Sequence, residues 1–466
     1  MALIKSISGI RGTIGGKVGD ALTPIDVVSL TASFGEWILK KSGPKTAVIG
    51  RDARPSGPII SRLVSSTLQS LGIDVIDLGL TTTPTVSIAV LQEQARGGIV
   101  ITASHNPAAW NALKLFNEEG EVIDAAAASE VFASNAPHDY SFVGVSQLGQ
   151  YTIQEEYIAQ HINKILALPL VDVPAIRSRK FRIAVDAVNS TGGIAVPQLL
   201  RALGVPHITA MHCEPNGQFP HNPEPLSIHL QELISTIRFG DYDLGIAVDP
   251  DVDRLVIIDQ KGVPWGEEYT LVAAADYVLS HTPGNTVSNL SSSQALQEIT
   301  VQYGGHHAST PVGEQYVLTK MKATQAVIGG EGNGGIIYPA LHYSRDALVG
   351  IALLLSHLAH TSQTASALRA RYPAYVLIKK KIQLTSEIDL EVLLATIQQI
   401  YSAYQMNTED GVKIFFQKAW VHLRKSNTEP IIRLYVEAKT EARATNLAKQ
   451  VMQQIREYAC GAPVAI

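Results

Sequence analysis

The chain has 466 residues, about three times the ~150-residue span of one domain, so three or four domains are expected. Apolar residues make up 46% and charged residues only 17%, which excludes a disordered chain. A net charge of −5 argues against nucleic acid as the main partner, and two cysteines, Cys213 and Cys460, cannot staple a chain this long or build a Cys-rich zinc site.

From the amino terminus, MALIKSISGIRGTIGG lacks the apolar core of a signal peptide. The most apolar stretch, 349–359, is broken by Ser356 and His357 and is too short to span a bilayer. A soluble cytoplasmic protein without a membrane partner is expected, and the low cysteine content fits a reducing compartment. Segments 46–50, 73–78 and 98–102 read as buried strands. Between the first two, Ile60, Leu63, Val64, Leu68 and Leu71 recur near the 3.6-residue helical period. The alternation returns with strands at 181–185, 244–248 and 326–328, which predicts α/β domains with mixed, mostly parallel sheets. Four strand ends run into polar or glycine-rich loops, around Arg51 and after Val185, Val248 and Ile328. Open α/β sheets bind ligands at such ends, and the recurrence suggests repeated units of one architecture. The carboxyl-terminal part differs. Strands at 420–423 and 431–436 flank the loop RKSNTEP, and 441–458 is an amphipathic helix, giving an α+β unit. Seams near 149–154, after Arg254 and near 372–374 place domains at 1–152, 153–256, 257–373 and 374–466.

Four loops carry chemistry. TASHNP, 102–107, ends a strand and presents the Ser104 hydroxyl among turn-forming residues, although a Ser-capped turn has the same local sequence. No G-x-S-x-G accompanies it, so the loop is a poor match to an esterase. DPDVDR, 249–254, sets Asp249, Asp251 and Asp253 at alternating positions behind an apolar strand. Three crowded carboxylates repel one another without a cation, and hard oxygen donors suit Mg²⁺; the alternative is a solvated acidic turn. GGEGNGG, 329–335, offers close backbone approach, with Glu331 and Asn333 suited to hydroxyl groups; a flexible turn is the alternative. RKSNTEPIIR, 424–433, gathers Arg424, Ser426, Asn427, Thr428 and backbone amides around a phosphate, with Arg433 as a bidentate clamp; a basic surface turn is the alternative. Together they imply phosphoryl transfer on a polyhydroxylated substrate. With no P-loop or kinase signature, the donor is expected to be phosphorylated Ser104.

These motifs, in this order and from SGIRG near Arg11 to RKSNTEP, resemble the α-D-phosphohexomutase superfamily essentially end to end. The resemblance implies three related α/β domains and a carboxyl-terminal α+β domain around a central cleft. It implies a phosphoserine at Ser104 and one Mg²⁺ per chain held by that group with Asp249, Asp251 and Asp253. Lys114 and Arg11 match positions near the transferring phosphate, His105 stands beside the carrier, and Arg254 closes the metal loop. Glu331 and Asn333 match sugar contacts, and Arg424, Ser426, Asn427, Thr428 and Arg433 match contacts to the idle phosphate. The implied substrate is a hexose phosphate, with hexose 1,6-bisphosphate as intermediate and activator. Glucosamine phosphate is the expected substrate, glucose or mannose phosphate the alternative, and a catalytically silent sugar-phosphate-binding homologue the reading from another class. Two departures stand out. Gly335 replaces a histidine, an acid/base in many relatives, which makes His342 a candidate. Ala112 replaces a usual glycine and is expected to alter a local turn.

Overall fold

The computed structural model describes residues 3–6, 9–133, 140–383, 390–425 and 431–459. Four sheets account for the strands among them. The first sheet runs in the order Leu3–Ser6, Gly9–Thr13, Trp110–Phe116, Gly97–Ile101, Thr46–Arg51, Asp74–Leu80, Tyr151–Ile153. Its last four strands pair in parallel and the others antiparallel. Gly97–Ile101 is buried throughout, which is why it reads as an unbroken apolar run rather than an alternation.

The second and third sheets repeat that motif in smaller form. In the second, His207–Met211, Arg182–Asp186 and Leu244–Val248 are parallel and Leu255–Asp259 closes the edge antiparallel. In the third, His307–Thr310, Thr286–Asn289 and Ile328–Glu331 are parallel and Gly335–Ile337 closes the edge. Each time, the closing hairpin joins a buried parallel strand to an antiparallel neighbour. Those three hairpins carry TASHNP, DPDVDR and the EGNG turn. The fourth sheet is antiparallel throughout, ordered Val376–Gln383, Ile431–Ala438, Ala419–Lys425, Val412–Phe416, Met406–Asn407.

Two expected seams fall inside strands. Tyr151–Ile153 pairs with Asp74–Leu80, so the first sheet extends past residue 152. Leu255–Asp259 pairs with Leu244–Val248, so the second sheet extends past residue 256. A seam placed straight after the acidic loop overlooks the return strand that a hairpin requires. The turn expected at Ala112 is also absent. Ala112 lies within the strand Trp110–Phe116, opposite Arg11, where alanine costs no strain.

The largest apolar core crosses domain limits. It runs from Ile158 to Tyr375 and joins the second sheet to the third. Its centre is the helix Ala347–Thr361, buried from Ala347 through Ala359. The first and fourth sheets have cores of their own. No described helix is long and apolar enough to cross a membrane.

Candidate active site

The loops from all four sheets face one cavity of about 730 Å³, within the range of small-molecule sites. Ser104 lines it and is only 6% exposed, so its hydroxyl is less open than a strand-end loop suggests. Its backbone is left-handed, with φ +48°, a strained conformation for a residue with a side chain. Local hydrogen bonds hold it there. Thr102 Oγ1 accepts the Ser104 N–H at 2.9 Å and donates to Asp52 Oδ2 at 2.6 Å. Arg54, paired with Asp52, donates to the carbonyls of Ser104, Asn106, Pro107 and Trp110 at 2.6–2.9 Å. The motif reading missed Arg54 because its role is to satisfy backbone acceptors of a different loop.

Ser104 Oγ donates to Asp249 Oδ2 at 2.7 Å. Asp249, Asp251 and Asp253 bring one carboxylate oxygen each within 4.8 Å of the others, and all three residues are fully buried. The turn that aims them is itself strained. Val252 has φ +63° and a buried side chain, and its carbonyl accepts the Ala347 N–H at 3.1 Å. Thr83, at the start of the helix Thr83–Gln92, donates through Oγ1 to Asp251 Oδ2 at 2.5 Å and through its N–H to the Asp251 carbonyl. Lys114 Nζ lies 2.5 Å from Asp251 Oδ2 and 2.9 Å from Asp253 Oδ2. The Oδ1 atoms of Asp251 and Asp253 are buried without a hydrogen-bond partner among the described residues. Orphaned carboxylate oxygens at this density fit a hard divalent cation. Burial, then Asp251 and Asp253, pushes the Asp249 carboxyl well above its usual range. Burial disfavours the charged form of Asp253 too, but Arg345, Lys114 and Arg254 outweigh it and hold its carboxyl low. Lys114 loses charge stability by burial and regains more from Asp251 and Asp253, so it stays an ammonium.

His105 lies beside Ser104, with Nδ1 2.8 Å from an Arg254 N–H. Burial, then Arg254 and Arg11, depresses its pKa well below the ordinary value, so the ring is neutral. Arg11 reaches Asn106 Oδ1 at 3.3 Å and lines the cavity with them.

Glu331 and Asn333 line the cavity from the third sheet. Glu331 accepts from Asn289 Nδ2 at 2.9 Å and from Arg345 at 3.0 Å. Arg345 was not legible in any motif. Its guanidinium also binds Asp253 at 2.7 Å and Glu314 at 3.0 Å, joining the EGNG turn to the acidic loop. A Cβ on Gly335 would stand 2.4 Å from Arg345 Cδ, so a side chain at 335 would require this arginine to move. His342 does not replace that histidine. It points away from the cavity, to Asp346 Oδ2 at 3.2 Å and Ser87 Oγ at 3.1 Å.

On the fourth sheet, Lys381, Arg433 and Arg424 stand directly opposite one another on three adjacent strands, and all line the cavity. Like charges facing across a sheet are destabilising on their own, and an anion between them reverses the sign. Lys381 was missed because it lies far outside the loop motif. Arg424 also donates to Asp410 Oδ2 at 2.9 Å. Ser426, Asn427 and Thr428 lie outside the described residues.

Profiles of the phosphoglucomutase/phosphomannomutase family match in four parts: α/β/α domain I over residues 3–138, domain II over 156–262, domain III over 266–375 and the C-terminal domain over 381–454. A Thermococcus kodakarensis protein named phosphoglucomutase/phosphomannomutase is 34% identical, covering 93% of this chain and 95% of its own. A Methanopyrus kandleri protein named probable phosphoglucosamine mutase is 31% identical, covering 96% of this chain and 97% of its own. The crystal structure of a phosphoglucomutase/phosphomannomutase family protein from Burkholderia thailandensis superposes with a TM-score of 0.85 at 25% identity, covering both chains completely.

Proposed function

The chain belongs to the phosphoglucomutase/phosphomannomutase family and is a phosphohexomutase, and on that premise we propose that it works through a phosphoserine at Ser104 with glucosamine phosphate as preferred substrate. The observation that carries the reading is one cavity with Ser104 Oγ against the Asp249 carboxylate on one side and the Lys381–Arg433–Arg424 row on the other. One cavity that holds both an acidic centre beside Ser104 and a row of cations suits a sugar with phosphates at both ends.

In the proposed cycle the phosphoryl group on Ser104 passes to a hydroxyl of the bound hexose phosphate. The P–Oγ bond breaks, a P–O bond to the sugar forms, and hexose 1,6-bisphosphate results. The bisphosphate turns end over end, and Ser104 takes back the other phosphoryl group. Mg²⁺ suits the oxygen set of Asp249, Asp251, Asp253 and the phosphoserine, and when bound it neutralises charge on the transferring group. Lys114 and Arg11 add fixed positive charge near Ser104, and His105 and Lys114 flank the transfer site where the hydroxyl proton must be handled. Arg433, Arg424 and Lys381 hold the idle phosphate, joined by Ser426, Asn427 and Thr428. Arg254 holds His105 in place, and Glu331 and Asn333 read the sugar.

Glucosamine is favoured by the carboxylates of Glu314 and Glu331, which line the cavity beside Asn333 and suit an amino-sugar ammonium. A relative whose name includes phosphoglucosamine mutase matches nearly end to end. The glucose/mannose alternative rests on the name of the Thermococcus kodakarensis relative. Relative kcat/KM on glucosamine, glucose, mannose and N-acetylglucosamine phosphates tests the choice; a clear preference for glucose or mannose phosphate overturns it. Intact-mass spectrometry should find a phosphorylated fraction that Ser104→Ala lacks, and that variant should turn over almost no substrate. Near-normal turnover by Ser104→Ala would remove the phosphoserine from the mechanism.

A further inference from the structure

A second ligand cluster lies at the end of the second sheet, outside the residues that line the cavity. Asp186 closes the strand Arg182–Asp186, His212 follows the neighbouring strand His207–Met211, and His221 comes from the loop beyond it. Asp186 Oδ1 accepts the Val188 N–H at 3.0 Å, which fixes the carboxylate. Its Oδ2 lies 3.0 Å from both His212 Nδ1 and His221 Nε2.

The far side of each ring decides what this means. His221 Nδ1 lies 2.9 Å from the Asn222 carbonyl oxygen, which only accepts, so Nδ1 carries the proton. His212 Nε2 lies 3.3 Å from Glu232 Oε2, another acceptor. In the neutral state that a metal requires, each ring keeps its one N–H on the far side and turns a lone pair toward the Asp186 oxygen. Without a metal, the near nitrogen carries a proton that it donates to Asp186 at the same 3.0 Å. The three donor atoms lie within 4.8 Å of one another, close enough for one cation to take the place of those protons. Imidazole rings whose remote N–H groups are held by a carbonyl or a carboxylate are the usual arrangement around a bound metal.

We propose that Asp186, His212 and His221 form a transition-metal site, with Zn²⁺ as the best-matched ion. Two imidazole nitrogens and one carboxylate oxygen suit Zn²⁺ rather than Mg²⁺. Bonds of about 2.0–2.2 Å put tetrahedral ligand atoms roughly 3.3 Å apart, close to the 3.0 Å from Asp186 Oδ2 to each ring nitrogen. The imidazoles are 18% and 17% exposed, which leaves a path for entry and room for water as a fourth ligand. The ion acts as a clamp on the segment between His212 and His221. Within that segment, the Phe219 ring lies 5.1 Å from the Arg54 guanidinium, and a Cβ on Gly217 would stand 2.0 Å from the Ala53 carbonyl. Arg54 in turn holds four carbonyls around Ser104. The clamp therefore stiffens the support of the serine loop and takes no part in the chemistry.

The test uses full-length protein stripped by chelator, resaturated with excess Mg²⁺ and titrated calorimetrically with Zn²⁺. One Zn²⁺ per chain should bind despite the Mg²⁺ and raise Tm, and Co²⁺ in its place should give a visible tetrahedral spectrum. His221→Gln and His212→Gln should each weaken binding by more than about 100-fold, and Glu232→Gln by roughly 10- to 100-fold, as expected for an outer partner. Asp251→Asn should leave this binding intact. Wild-type protein that takes up no Zn²⁺ in excess Mg²⁺ overturns the site, whatever the variants do. So does binding that Asp251→Asn abolishes, or binding that His221→Gln leaves unchanged while circular dichroism shows a native fold. A Tm that responds to pH but not to Zn²⁺ assigns the cluster to protons and overturns it equally.

Discussion

Arg433 separates binding from chemistry in the proposed cycle. It shares a cross-strand row with Lys381 and Arg424, and its proposed role is to hold a phosphate that is not reacting. That phosphate is present before and during transfer, so part of its binding is uniform and appears in KM. A charge-assisted, bidentate contact contributes about 1.5–3 kcal/mol. Arg433→Ala should therefore lower kcat/KM by roughly 10- to 150-fold while leaving the Ser104 phosphoserine in place. Steady-state kinetics with intact-mass analysis checks both halves; loss of the phosphoserine, or unchanged kcat/KM, removes Arg433 from this role. Arg345 works differently, because it touches three carboxylates at once. Its Cδ is the atom a side chain at 335 would meet first, and its guanidinium ties Glu331 to Asp253.

Three hairpins make the reacting half of the site, and each joins a buried parallel strand to an antiparallel return. A buried strand fixes where the loop begins, and the return strand fixes where it ends, so a short turn between them has little freedom. The strain at Ser104 and Val252 is tolerable for that reason. In DPDVDR the geometry gathers three buried carboxylates, and two of them, Asp251 and Asp253, keep an oxygen without a hydrogen-bond partner among the described residues. Chelation should therefore abolish turnover, and added Mg²⁺ should restore it. Asp251→Asn should lower activity and raise the Mg²⁺ concentration needed, with the circular dichroism spectrum unchanged because the amide keeps the size and shape of the carboxylate it replaces. Full activity in chelator would mean the acidic turn holds no catalytic cation.

The apolar core makes one body of the second and third domains, with the helix Ala347–Thr361 inside it. Leu353 is fully buried there, and Leu353→Ala should cost about 2–5 kcal/mol. Calorimetry should show one transition for the joined domains moving down and the fourth-domain transition staying put; independent melting of the second and third domains would contradict a shared core. The junction between the third and fourth domains is polar instead. Lys413 Nζ donates to the Leu290 carbonyl, and Gln294 and Trp420 donate to Glu437. Glu268 sits in the same region, and burial pushes its carboxyl up to about 8 despite Lys379. Folded protein thus retains a proton that the unfolded chain releases near pH 4.5. The stability from that proton is complete below the unfolded value and is lost as pH rises through about 8. Lys413, lowered to about 8, is charged in both states over most of that window and changes little below its upper end. Glu268→Gln should flatten the fall in Tm between about pH 5 and 8. Equal pH slopes for the two proteins would show that Glu268 does not hold the proton.

Sequence alone determined what local periodicity and short motifs encode. Buried strands such as Gly97–Ile101 are legible because burial on both faces demands an unbroken apolar run. Ser104, the three aspartates and Glu331 are legible because each hairpin packs its chemistry into a few consecutive residues. Tertiary structure decided what depends on partners distant in the chain. Arg54, Arg345 and Lys381 lie outside the motifs, and their roles arise only from contacts to Ser104 and its loop, to Asp253 and across to Arg433. His342, attractive by its place in the sequence, is drawn instead to a buried carboxylate at Asp346. The seams misplaced at 152 and 256 have the same origin: a return strand belongs to the sheet it pairs with, and pairing is a contact that no local pattern records.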